Sequence, residues 1–358
     1  MSAVSEPSSA PQQVEYRAGH PLARYLLRRL GVSALLIVGV TLITFVLTNL
    51  VPGDSVAANL GQRSAEDPAI VAAYRAHYGL DKPLPVQYLT YLGNLTRGDL
   101  GESQQTHRSV LTDLQSAVPA TLEIAIGAIV LSVLIGVGFG VIAAVRRGHL
   151  ADSALRVVSL VGISVPTFWL ALVAFYVFSF KLDLAPGSGR LSPATSAPPD
   201  VTGLYTVDSL LAGQWETFAD AVAHLMLPTL VLTLYTVGLL TRFTRSAVLE
   251  VLDQDFVRSA RAKGLPARTV LFRYVLRAAM VPILTVVGLA FGALLSGTVM
   301  VEQIFSWPGL GSYAYQAASH LDLPAVMGVG LFVGIIYLVI NLVVDLLYGA
   351  IDPRVRVS

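Results

Sequence analysis

Three acidic side chains stand where a long apolar sequence could do chemistry: Glu123, Glu302 and Asp345. A carboxylate at the centre of a bilayer costs on the order of 3 kcal/mol, so an acid inside a membrane is a functional suspect by default. Glu123 and Asp345 each fall within a turn or two of the end of an apolar run, where that cost drops and a structural role reads equally well. Glu302 opens Glu302-Gln303-Ile304-Phe305-Ser306-Trp307-Pro308-Gly309-Leu310-Gly311, just past another run. Its aromatic and Pro-Gly residues suit either a re-entrant element that shapes an outer mouth or an interfacial aromatic belt with a turn. A proton or sodium pump would carry its acids deeper than these.

Other chemistries are missing. No Gly-x-x-x-x-Gly-Lys-Ser/Thr loop occurs, so the chain has no cradle for nucleotide phosphates and any ATP hydrolysis must be supplied by another chain. Ser296-Gly297 follows Leu294-Leu295 and lacks the glycine two residues before the serine, and no histidine lies in the last apolar run to serve as a base. No catalytic residue is therefore expected. The absence of cysteine excludes disulfides, thiolate metal sites and cysteine nucleophiles. With no basic domain studded with aromatics, nucleic acid is not an expected partner.

The stretch Asp255-Phe256-Val257-Arg258-Ser259-Ala260-Arg261-Ala262-Lys263-Gly264-Leu265 is of another kind. It reads as a short helix of small residues, closed by glycine, inside a basic loop between two apolar runs. An isolated channel has no need of such an element, whereas a subunit moved by a separate motor does. Phe256, Val257 and Ser259 to Leu265 are the expected docking residues.

The elements that position these residues follow from composition. The chain is 54% hydrophobic and 13% charged, with a mean hydropathy of +0.66, far from the soluble average of about a quarter charged residues. It reads as an all-α integral membrane protein. Apolar runs of about 20 residues predict six transmembrane helices at 30–51, 119–145, 157–180, 225–241, 278–301 and 323–344. Lys and Arg divide 17 to 7 between alternate sides of these runs, which places both termini in the cytoplasm. That basic face suits anionic lipid as well as a protein partner.

Between the runs, residues 1–22, rich in Ser, Pro and Gln, predict a disordered cytoplasmic tail, and 23–51 hold the first span. Residues 52–118 predict an extracytoplasmic helical segment, with one helix capped by Asp67-Pro68 and closed at Gly79 and another near 85–94. Residues 119–348 form the core with its cytoplasmic loop 242–277, and 349–358 a cytoplasmic tail. The segment 181–224 reads as mostly irregular. Pro119 and Pro228 are expected near helix starts. Pro166 is expected to kink the third span, either opening a crevice or merely adjusting packing. Gly136/Gly140, Gly288/Gly292 and Gly330/Gly334 predict close backbone approach, in a tight bundle or at a seam with a partner.

Ser259-Ala260, with Gly264 and then Tyr274-Val275-Leu276, resembles the EAA loop of bacterial ABC importer permeases. Arg258 and Ser259 replace that family's Glu and first Ala, and Arg277 stands where many members have proline; these departures resemble the B-type permeases of the dipeptide, oligopeptide and nickel group. Val51-Pro52-Gly53-Asp54, Tyr78-Gly79-Leu80-Asp81-Lys82-Pro83, Gly98-Asp99-Leu100-Gly101, Leu239 with Thr241-Arg242, and Ile351-Asp352-Pro353-Arg354 extend the resemblance over about residues 23–358. It implies a type I importer fold in the inner membrane and a coupling helix seated on an ATPase. It also implies a homologous permease as partner, two ATPase subunits that bind ATP and Mg, and an extracytoplasmic solute-binding protein. Pro166, Gly292, Ser296, Thr298 and Glu302 are then candidates for the pathway or its gate. Di- and oligopeptides are the expected substrates, with nickel, haem or glutathione as alternatives. An ion-coupled secondary transporter is the reading from another class; it predicts an inverted repeat with broken helices at the midplane, which the sequence does not display.

Overall fold

The computed structural model describes residues 21–50 and 66–351. The motifs at Val51 to Asp54 and Asp352 to Arg354 and most of both predicted tails lie outside these residues. Among the described residues the structure is helical, with one isolated antiparallel bridge between Glu102 and Ser109.

In chain order the helices are α1 (Pro21–Leu50), α2 (Pro68–Tyr78), α3 (Leu84–Leu95), α4 (Val110–Val145), α5 (Leu150–Ser164) and α6 (Thr167–Lys181). There follow α7 (Tyr205–Leu211), α8 (Trp215–Leu252), α9 (Asp255–Ala262), α10 (Ala267–Ile304), α11 (Leu310–Ser319) and α12 (Leu323–Ile351). Asp67 caps α2 by accepting from the Ala69 amide at 2.9 Å, and Gly79 closes it at φ +68°. Among the described residues four helices, α4, α8, α10 and Leu323–Tyr348 of α12, are long and apolar enough to cross a membrane, and the bent pair α5–α6 makes a fifth if it counts as one span. In α1 the stretch Gly31–Leu47 is apolar.

α8 is the axis of the bundle and packs against α4, α5, α6, α7 and α10, while α12 packs against α1, α4, α10 and α11. The glycine pairs line seams within this chain. A Cβ on Gly140 would lie 2.5 Å from Thr244 of α8, one on Gly288 2.6 Å from Val344 of α12, and one on Gly330 2.8 Å from Thr44 of α1. Helices that approach this closely gain dispersion contact which bulkier residues would forbid.

Two expectations are corrected. Pro119 and Pro228 are interior to their helices, not at the starts: α4 begins at Val110 and α8 at Trp215, because each continues into an outer turn whose Leu114 or Thr217 is buried. The third span is not merely kinked at Pro166. Val165 is extended (φ −86°, ψ 124°), as a residue before proline prefers, and α5 and α6 meet at 95°. The segment 181–224 is mostly irregular, as expected, and also holds α7 and the first turns of α8.

Candidate functional site

α9 follows α8 after a turn at Asp253-Gln254. Asp255 sits in its first turn and Arg261 in its last, the signs that complement a helix dipole. Val257 is fully buried and Ala260 nearly so; both enter an apolar cluster with Ala144 of α4, Val248 of α8, and Val270, Val275, Ala279 and Ile283 of α10. Leu265 packs against the same cluster. The other face is open: Phe256, Ser259, Arg261, Ala262, Lys263 and Gly264 are exposed, Phe256 by 45% despite its aromatic ring. Arg258 is spent locally, on Asp255 at 3.3 Å and the Asp253 carbonyl at 3.1 Å.

The chain leaves α9 through Gly264 at φ +73°, whose amide donates to the Arg261 carbonyl at 2.9 Å while Leu265 donates to Ala260 at 3.4 Å. An added Cβ would meet nothing within 4 Å, so glycine is needed here for its backbone conformation and not for a close approach. The result is a short element with an apolar root in three long helices and a solvent-facing small-residue surface. That root ties the surface to α4, α8 and α10. Beside it, Arg245 of α8 holds Asp152 of α5 with two hydrogen bonds, at 2.8 and 3.0 Å.

At the opposite end of α10, Glu302 is fully buried. It accepts from Thr121 Oγ1 of α4 at 2.6 Å and from the Ser312 amide of α11 at 2.8 Å. Thr121 in turn accepts from the Leu310 amide at 2.7 Å, and Trp307 Nε1 donates to the Ala120 carbonyl at 2.9 Å. Side chains at Gly309 and Gly311 would collide with Glu302, so the Pro-Gly turn is wrapped around its carboxyl group. Thr298 is buried too, whereas Ser296 is exposed on the flank of α10; Gly292 packs under Tyr337 of α12, and Pro166 stands at the α5–α6 break. The site candidates therefore divide between a group on α9 and a group around Glu302, at opposite ends of α10.

Sequence reasoning missed how the outer segment is fastened. Arg190 and Glu123, both buried, pair at 2.8 Å; Glu123 also accepts from the Thr206 amide and hydroxyl, and Arg190 lies 3.5 Å from the centroid of the Tyr205 ring. Asp220 accepts from the amide and hydroxyl of Ser192 at 2.7 and 2.8 Å. Asp208 accepts from the hydroxyl of Thr202 and the amides of residues 201 to 203. Burial alone would raise the Asp208 carboxyl, yet these hydrogen bonds prevail and hold it below the usual carboxylate range. A lone arginine amid Pro, Gly and Ser was the one local signal of this docking.

Residues 136–357 match the family described as binding-protein-dependent transport system inner membrane component, and residues 22–125 match its N-terminal counterpart. The chain is 44% identical over 321 residues to a probable D,D-dipeptide transport system permease protein of Escherichia coli K12, covering 90% of this chain and 94% of that protein. To a di/tripeptide transport system permease protein of Pseudomonas aeruginosa it is 45% identical over 332 residues, covering 93% and 98%. In structure it overlaps a chain of the MetNI methionine ABC transporter, inward facing, with TM-score 0.49 and 16% identity, over 68% of this chain and 97% of that one. Apolar helices of membrane-crossing length, two family matches that together span nearly the whole chain, and relatives aligned almost end to end lead to one assignment: the chain belongs to the inner membrane components of binding-protein-dependent transport systems, as a multi-pass permease subunit of an ABC importer.

Proposed function

We propose that this permease carries di- and oligopeptides across the inner membrane. The observation that carries the reading is that the relatives at 44% and 45% identity, aligned over nine-tenths of the chain, are named as dipeptide or di/tripeptide permeases. A bare metal ion would need imidazole, carboxylate or thiolate ligands. No group of three or more such residues that could hold one occurs among the described residues. A passage lined by Ser, Gly and backbone groups tolerates varied peptide side chains and releases them.

In this reading the chain crosses the membrane six times with both termini in the cytoplasm. It pairs with a homologous permease beneath an extracytoplasmic binding protein and stands on two ATPase subunits, which bind ATP and Mg and do the hydrolysis. The exposed face of α9, from Phe256 to Gly264, seats on an ATPase. When the ATPases close, α9 is displaced, and Val257, Ala260 and Leu265 pass that displacement to α4, α8 and α10. Ser296 lines the passage between the permeases; Glu302 and Thr298, buried behind it, hold the outer turn; Pro166 and Gly292 set helix positions around it.

The test is uptake of a labelled dipeptide by the complex reconstituted in vesicles with its binding protein. Uptake is expected to require ATP and to ignore an imposed proton or sodium gradient. Failure across a broad peptide panel while nickel, haem or glutathione is imported would overturn the peptide reading and leave the permease assignment intact. Uptake driven by a gradient without ATP would overturn the coupling role of α9.

A further inference from the structure

The helix α3 carries no charged residue along its 12 positions, Leu84–Leu95. One face is anchored. Tyr91 packs with Phe45 of α1 and Met327 of α12, and the Tyr88 hydroxyl donates to the Val38 carbonyl of α1 at 3.1 Å and lies 3.2 Å from Thr41 Oγ1. The other face, Val86, Leu89, Thr90 and Gly93, is exposed, with Leu89 exposed by 67%. Thr90, the polar member of that face, returns its hydroxyl to the Val86 carbonyl at 2.8 Å, so the face asks nothing of water.

Depth follows from the anchors. Met327 lies four residues into α12 from Leu323, about 6 Å below its outer end at 1.5 Å per residue. Val40, between the two partners of the Tyr88 hydroxyl, faces Gly334 deeper down, but the Tyr88 ring packs on Phe45 with centroids 5.3 Å apart. Only the hydroxyl reaches down, from a ring at the level of Phe45 and Met327. α12 is one of the helices of membrane-crossing length. α3 therefore lies at the outer end of a spanning helix, which it reaches through its tyrosine side chains. It continues an apolar flank on α1, where Leu42, Ile43, Val46 and Leu47 are exposed. Lys82 just before α3 and Arg97 just after it are exposed, placed where basic side chains reach up to phosphates while their stems stay in apolar surroundings.

The geometry points to α3 as an in-plane membrane helix: its Val86–Leu89 face is embedded among the acyl chains of the outer leaflet, and Lys82 and Arg97 hold the lipid headgroups at its two ends. The segment between α1 and α4 is then partly a membrane element, which fixes the depth and tilt of α1 against α12, where the sequence predicts a helical segment outside the bilayer.

The absence of cysteine makes the test direct. Val86→Cys, Leu89→Cys and, for reference, the exposed Ser188→Cys would each carry a nitroxide in the full-length protein, reconstituted in phosphatidylethanolamine and phosphatidylglycerol vesicles. All three sites are exposed, so folding is retained. Collisions with dissolved oxygen should exceed those with a water-soluble nickel chelate at residues 86 and 89, with the reverse at 188. A nickel chelate that reached residue 89 as readily as residue 188 would place α3 in water and overturn the inference. Exclusion of both reagents at 86 and 89 would put protein on this face and overturn it equally.

Discussion

At Gly264 an added side chain meets open space, yet φ +73° lies where an L-residue with a Cβ pays about 1–2 kcal/mol. The demand is conformational, and that separates substitutions which a crowding argument would treat alike. Asn tolerates the left-handed region and a β-branched residue does not. Gly264→Val is expected to insert in the membrane normally but to lose most ATP-driven uptake, and Gly264→Asn to keep most of it. Wild-type uptake and substrate-stimulated hydrolysis in the Val variant would detach this turn from coupling. The same scale governs the outer segment. Arg190→Met leaves Glu123 buried without its charge partner and is expected to cost about 3–5 kcal/mol in thermal unfolding, with the double variant Arg190→Met/Glu123→Gln recovering part of the loss. Asp208 supplies a pH dependence of known sign. Its folded carboxyl titrates below the unfolded one, so its contribution is complete above the unfolded value and is lost as pH falls through the folded one. Amide exchange in residues 201–213 should accelerate under acid before that in α8 does; simultaneous loss in both would contradict this.

α9 shows how one short helix separates two jobs by face. Val257→Asp puts a charge into the cluster with Val248 and Val275 and should destabilise the inner ends of α8 and α10 by several kcal/mol. Phe256→Ala removes an exposed ring and should leave unfolding unchanged while weakening co-purification of the ATPases. Equal effects of the two on thermal unfolding would mean that the faces are not distinct. The sequence displays α9 well, because period, small residues and terminal glycine are all local. It displays the α5–α6 break poorly: Pro166 marks the position, but the 95° angle is set by packing of Ala171 and Ala174 against α4, α8 and α10, which no local pattern records. The helix starts before Pro119 and Pro228 were hidden for a similar reason. Hydropathy marks the apolar stretch, whereas these helices extend beyond it.

Over the whole molecule, apolar runs carry the helical architecture, and pairings across long sequence separations carry what the sequence hides. Ser103 lies in a segment expected outside the membrane, yet it is fully buried and bonded to Asp322, so it is a poor topology probe; Ser188, Ser153 and Ser259 are exposed. Cysteine at Ser188 should react with an impermeant thiol reagent in intact cells, and cysteine at Ser153 or Ser259 only after the inner face is opened. Labelling of residue 259 from outside would reverse the orientation. The Glu123–Arg190 pair spans 67 residues. At roughly 5–20 residues per second of synthesis, α4 emerges several seconds before the arginine that neutralises it. During that interval the nascent chain has a carboxyl group near the membrane with no cation to meet it, and such a group stays in water. The upper part of α4 can therefore settle to its final depth only after the segment carrying Arg190 has been translocated, so a ribosome stalled between these residues should hold α4 shallower than the finished chain does.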